Sequence, residues 1–119
     1  MKVVIKKPGE SMAVIEVSGL QEINKLVGNV DESGEGYSFT GSDFRQGVFP
    51  GIDIHINGSS LFNSGLEENF WDIYGNKLYC GNAVFAGYHP DSAEYGVCSL
   101  TDEQIRYLTE NIRSVFDIF

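Results

Sequence analysis

His55, Cys80, His89 and Cys98 are the residues of this chain whose types most readily carry chemistry. Two imidazoles and two thiolates make a ligand set suited to zinc. Their spacing fits no compact motif, since neither Cys-x-x-Cys nor His-x-x-x-His occurs. Three of the four fall in or beside expected strands, so a shared site requires those strands to be neighbours. A thiol beside an imidazole is also the minimum for a cysteine nucleophile. No local pattern places either thiol at a helix N-terminus, where its pKa would fall. The plainer reading is a surface His55, a turn His89 and two partly buried thiols in a reducing compartment.

Carboxylate pairs are the next candidates: Asp31/Glu32, Glu67/Glu68 and Asp102/Glu103. Hydrolytic chemistry needs one carboxyl held protonated by burial. The first two pairs sit in polar segments and the third caps a helix, so all three read as solvated. Gly34-Glu35-Gly36 places an acid between glycines with no Gly-Lys-Ser/Thr after it, so it is no phosphate cradle. The chain therefore reads as a non-enzyme with no cofactor.

Aromatic residues Phe44, Phe49, Phe62, Phe70 and Trp71 fall in weakly patterned segments. Trp is a frequent interface anchor, but loop aromatics more often pin a loop to the core. An apolar pocket where Trp71, Tyr74 and Phe85 meet the sheet would instead suit a small-molecule sensor or sponge.

These residues are positioned by elements that the pattern makes legible. Lys2–Lys7 reads as a strand ended by the Pro8-Gly9 turn, and Met12–Val17 as its hairpin partner. Ser18 and Gln21 have capping-box spacing. Leu20, Ile23, Leu26 and Val27 then give a short helix over about 19–27, closed by Gly28. Tyr37 and Phe39 alternate with polar residues, and Gly41–Gly51 reads as a loop. Ile52-Asp53-Ile54-His55-Ile56 alternates cleanly and ends at Asn57-Gly58. Glu67–Asp72 reads as loop or short helix. Leu78–Cys80 and Ala83–Tyr88 read as strand with Gly81 as a bulge, and Tyr95–Val97 as one more short strand.

Thr101 and Gln104 form a second capping-box pair, and Asp102 and Glu103 suit the positive end of a helix dipole. Ile105, Leu108, Ile112, Val115 and Phe116 share one face, which predicts a helix over about 102–116. The expected fold is a single α+β domain over residues 1–119. A mainly antiparallel sheet carries the short helix in the N-terminal half and the longer C-terminal helix on one face, against Ile52, Ile54 and Ile56.

The chain has 119 residues, 42% of them hydrophobic, so it can close a core without disulfides or metals. Apolar runs are too short to cross a membrane or to form a signal peptide, so the expected location is cytoplasmic. Seventeen acids face eight bases, a net charge of −9, and three of the bases (Lys2, Lys6, Lys7) lie in the first seven residues. Such a field repels nucleic-acid phosphate and favours a partner with a basic surface.

The order of these motifs resembles an uncharacterised family of phage and mobile-element proteins, domain of unknown function DUF3846. The resemblance runs from Lys2-Val3-Val4-Ile5 and Pro8-Gly9 through Leu20-Gln21-Glu22-Ile23, Val27-Gly28 and Asn57-Gly58. It continues in Gly81-Asn82-Ala83-Val84-Phe85-Ala86-Gly87 and Ser99-Leu100-Thr101-Asp102-Glu103-Gln104. Residues 31–51 match nothing in it. The resemblance implies a compact α+β fold and no known enzymatic activity. Together with the charge, it suggests an acidic, counter-defence protein that occupies the basic groove of a host nucleic-acid-handling or defence protein. Asp31, Glu32, Glu35, Asp43, Glu67, Glu68 and Asp72 are the expected contact carboxylates.

Overall fold

The computed structural model describes residues 1–28, 39–41, 51–57, 67–71, 78–92 and 96–114. Lys2-Val3-Val4-Ile5-Lys6 lacks polar alternation at its centre, as suits a strand covered on both faces. It forms β1 (Lys2–Lys6), and Val3 through Lys6 are all buried. The turn at Pro8-Gly9 returns the chain into β2 (Ala13–Glu16), antiparallel to β1.

β3 (Phe39–Gly41), β4 (Ile52–Ile56) and β7 (Ala83–Tyr88) complete the main path of the large sheet, in the order β2-β1-β7-β4-β3. β8 (Val97–Cys98) pairs with the far end of β7. A second sheet holds β5 (Glu68–Trp71), β6 (Leu78–Cys80) and β9 (Arg113–Ser114) in the order β6-β5-β9. Among the described residues every strand pairing is antiparallel, so the class is α+β with a mainly antiparallel sheet.

Strand alternation sends side chains to two separate cores. On one face, Val4, Ile52, Ile54, Ile56 and Phe85 meet Leu108 and Ile112, together with Phe70 and Tyr79 of the second sheet. On the other, Val3, Ile5, Val84 and Ala86 meet Ile23 and Val27. Helix α1 (Leu20–Leu26) thus covers one face. Helix α2 (Asp102–Asn111) and the second sheet cover the other, with the isoleucines where the sequence pattern places them.

Several expectations are corrected. Leu78–Tyr88 is not one bulged strand. Gly81, at φ 79°, turns the chain from β6 in one sheet to β7 in the other. The bulge lies in β5 instead, where Glu68 pairs with Cys80 and Phe70 with Tyr79, leaving Asn69 extra. Glu67–Asp72 supplies a strand, because Phe70 and Trp71 find ladder partners on both sides.

Helix α2 ends at Asn111, short of the expected 116. Asn111 Nδ2 donates to the Tyr107 carbonyl at 2.8 Å, closing the last turn. Ile112 is then extended (ψ 129°) and buried, and Arg113 and Ser114 pair with β5. Val115 and Phe116 lie outside the described residues, as do Tyr37 and most of 41–51. At the start of α2 the capping box forms: Gln104 N–H donates to Thr101 Oγ1 at 3.1 Å, and Thr101 N–H to Gln104 Oε1 at 2.9 Å.

Helix α1 is capped differently from expectation. Its N-cap is Gly19, with no side-chain bond, and Ser18 N–H donates to the Glu22 carboxylate at 3.3 Å. Two asparagines close its other end. Asn82 Nδ2 donates to the Leu26 carbonyl at 3.1 Å, and Asn57 Nδ2 to those of Val27 (3.3 Å) and Gly28 (3.2 Å). These bonds tie α1 to the ends of β4 and β7. Asn82→Ala and Asn57→Ala are each expected to lower stability by about 1 kcal/mol. The check is a lower urea midpoint with an unchanged m-value.

The segment before α2 enters between the end of β7 and the start of β1. Cys98 pairs with Gly87, while Leu100 N–H donates to the Lys2 carbonyl at 2.9 Å. A Cβ on Gly87 would lie 2.5 Å from the Ser99 carbonyl oxygen, so this close approach needs glycine.

Candidate functional site

The described polar residues divide between an acidic surface and two buried polar groups. Among the expected contact carboxylates, Glu67 and Glu68 are described and both are exposed. They lie at the start of β5, next to the junction of the two sheets. Asp31, Glu32, Glu35, Asp43 and Asp72 lie outside the described residues. Glu10, Glu16, Asp91, Asp102, Glu103 and Glu110 are exposed as well, against exposed Lys7, Lys25 and Arg106. Lys2 is partly matched by Asp102 (3.1 Å), and the N-terminal amine by Glu16 (3.1 Å). Both are surface pairs and contribute little to stability.

The first buried group sits on β4. Asp53 and His55 point away from the isoleucines, as the alternation predicts, yet that face is not solvent. Each is 1% exposed, and each pairs across to a β7 residue on the sheet face that α1 packs against, His55 with Val84 and Asp53 with Ala86. A surface His55 is therefore corrected to a buried one. Asn24 of α1 is buried too, and among the described residues its Oδ1 accepts no hydrogen bond. A carboxylate and an imidazole two residues apart on one strand face have the types for acid–base work. Here both are closed to solvent.

The second buried group was not anticipated. Lys6 is 2% exposed and Asn69 is fully buried. Lys6 Nζ donates to Asn69 Oδ1 at 2.9 Å and to the Lys7 carbonyl at 2.9 Å. Asn69 Nδ2 donates to the carbonyls of Lys6 (2.8 Å) and Gly81 (2.7 Å). A single carboxamide thus joins β1 to the corner between β6 and β7. A buried ammonium needs such acceptors. Lysine is rarely buried, so residue type pointed outward. The one available signal was parity: Lys6 shares the inward face of β1 with Val4.

The four candidate metal ligands are dispersed. His55 lies on the α1 face of β4, Cys80 in β6, His89 in the turn after β7 and Cys98 in β8. Among the described residues, no three His, Cys, Asp or Glu side chains gather where they could hold an ion. His89 is exposed, and its Nδ1 accepts the Asp91 N–H at 3.2 Å.

Cys80 and Cys98 are free thiols, the first buried and the second half-buried. Burial, and then the Glu68 carboxylate, push the Cys80 thiol above its ordinary 9.0. That is opposite to the shift an activated nucleophile needs. At pH 8, native protein treated with iodoacetamide is expected to label Cys98 well before Cys80, read by peptide mass spectrometry. The folded state also holds the Cys80 proton more tightly than the unfolded state. Its contribution to stability is therefore lost as pH rises above about 9, and Cys80→Ala is expected to flatten that alkaline decline.

Phe70 is a core residue, not a loop anchor. Its ring stacks on Tyr79 at 4.8 Å and lies tilted to Phe85 at 5.5 Å. Trp71 is half-buried. Tyr74, Phe44, Phe49 and Phe62 lie outside the described residues. Among the described residues, no helix is long and apolar enough to cross a membrane. No protein-family model matches the chain, and neither does any curated protein or solved structure.

Proposed function

We propose that this chain is a non-catalytic, cytoplasmic protein-binding module of phage or mobile-element origin. It belongs with the DUF3846 proteins it resembles, and its partner is a host nucleic-acid-handling or defence protein with a basic surface. One observation carries this reading: among the described residues the exposed charge is predominantly acidic, with Glu10, Glu16, Glu67, Glu68, Asp91, Asp102, Glu103 and Glu110 against Lys7, Lys25 and Arg106. Carboxylates on such a surface can occupy a groove that otherwise holds phosphates, and they speed encounter with a basic partner.

Affinity capture from host lysate tests it. A specific protein is expected to be retained in 50 mM salt and largely lost in 500 mM. Reversing Glu67 and Glu68 together to Lys is expected to weaken retention at least tenfold. Retention of nothing at low salt ends the reading, and undiminished retention by the reversed variant ends its electrostatic form.

A further inference from the structure

We propose that Asn57 is a self-modification site: attack on its side-chain amide by the main-chain nitrogen of Gly58 converts it to an acid and irreversibly unlatches the end of α1. The reaction needs no partner protein and is independent of the protein-binding reading. The last carbonyls of a helix have no partner within it. At the end of α1, those of Val27 and Gly28 accept from Asn57 Nδ2 at 3.3 and 3.2 Å, and that of Leu26 accepts from Asn82 Nδ2 at 3.1 Å. A carboxamide nitrogen has two hydrogens, one for each carbonyl that Asn57 holds. The approach is close: a Cβ on Gly28, at φ 81°, would lie 3.2 Å from Asn57 Nδ2.

The amide that forms this latch is also the most reactive by sequence. Asn57-Gly58 is the only Asn-Gly pair of the chain. Glycine has no side chain to hinder the approach of its own nitrogen to the preceding Cγ. Gly58 lies outside the described residues, and the reaction depends on its lacking a side chain. In the first step the Gly58 nitrogen gives up its proton and bonds to Asn57 Cγ. The Cγ–Nδ2 bond breaks, and ammonia leaves with that proton. Water then opens the succinimide ring to aspartate or isoaspartate. The sum is amide plus water to acid plus ammonia, with no change of oxidation state.

The leaving group is the nitrogen that the two carbonyls hold. The closed latch therefore protects Asn57, and each local opening of the helix end exposes it. The bond to Gly28 lies at the surface, so water reaches the site. The product cannot close again, because a carboxylate only accepts hydrogen bonds. Negative charge is also disfavoured beside the carbonyls of a helix C-terminus. Modification thus runs one way, toward a chain whose α1 is loosened from β4.

The whole chain is incubated at pH 8 and 37 °C in heavy-oxygen water, and label at each asparagine is read by peptide mass spectrometry. Asn57 is expected to gain label at least fivefold faster than Asn82 and Asn111, which precede Ala83 and Ile112. Asn82→Ala frees the Leu26 carbonyl, and should speed the loss of Asn57 at least twofold by opening the same helix end more often. The modified fraction is separated by its extra negative charge for amide hydrogen exchange. The Val27 and Gly28 amides donate to the Ile23 and Lys25 carbonyls. Both should exchange at least fivefold faster after modification, while Phe85 at the centre of the sheet is unchanged. Asn57→Asp should reproduce that pattern, and if it fails to fold, the aged wild-type chain gives the same reading.

Labelling of Asn57 no faster than of Asn82 and Asn111 overturns the proposal. A rate that Asn82→Ala leaves unchanged overturns the latch, since opening of the helix end would then not control the reaction. Equal exchange of Val27 and Gly28 before and after modification overturns its consequence for α1.

Discussion

Asn69→Ala is expected to destabilise the fold by about 3–5 kcal/mol, a large share of the roughly 5–15 kcal/mol of a typical domain. Asn69 is fully buried, and all three of its bonds are 2.9 Å or shorter. Its loss takes an acceptor from the Lys6 ammonium and a donor from two carbonyls. Removing one partner of a buried polar contact costs the desolvation of what remains. The measurement is urea unfolding of the single variants and of Asn69→Ala combined with Lys6→Met. The combined variant is expected to regain at least about 1 kcal/mol over Asn69→Ala, because no buried charge is then left short of acceptors. Additive losses in that cycle would show that the ammonium and carboxamide are not coupled as their 2.9 Å contact implies.

Leu108→Ala is expected to cost about 2–5 kcal/mol and lower the melting temperature by at least about 8 °C. Leu108 is fully buried between α2 and the Ile52, Ile54, Ile56 face. The neighbouring Thr109, exposed on the other side of α2, serves as the control, and Thr109→Ala is expected to change stability by less than about 0.5 kcal/mol. Ile112→Ala is a sharper probe of the helix end, because Ile112 is buried where α2 gives way to β9. An unchanged melting temperature for Leu108→Ala would mean that α2 does not dock on the sheet as described.

Local pattern alone determined the elements whose signal is complete within a few residues. The first hairpin, α1, the capping box of α2 and the alternation in Ile52–Ile56 were all legible, because turn geometry, helix caps and side-chain periodicity are short-range effects. The excess of surface acid was legible too, since it is a property of composition. Tertiary pairing decided the rest. Glu68–Trp71 became a strand because β6 and β9 flank it, and α2 stopped at Asn111 because Arg113 and Ser114 found ladder partners. Gly81 became a corner between two sheets, which no single-strand pattern distinguishes from a bulge. His55 and Lys6 both carry residue types that favour the surface. Both are nevertheless buried, His55 opposite Val84 on the α1 side of the sheet and Lys6 against Asn69 of the second sheet. Alternation says which side of a strand a residue is on, and only the packing of distant segments decides whether that side is water.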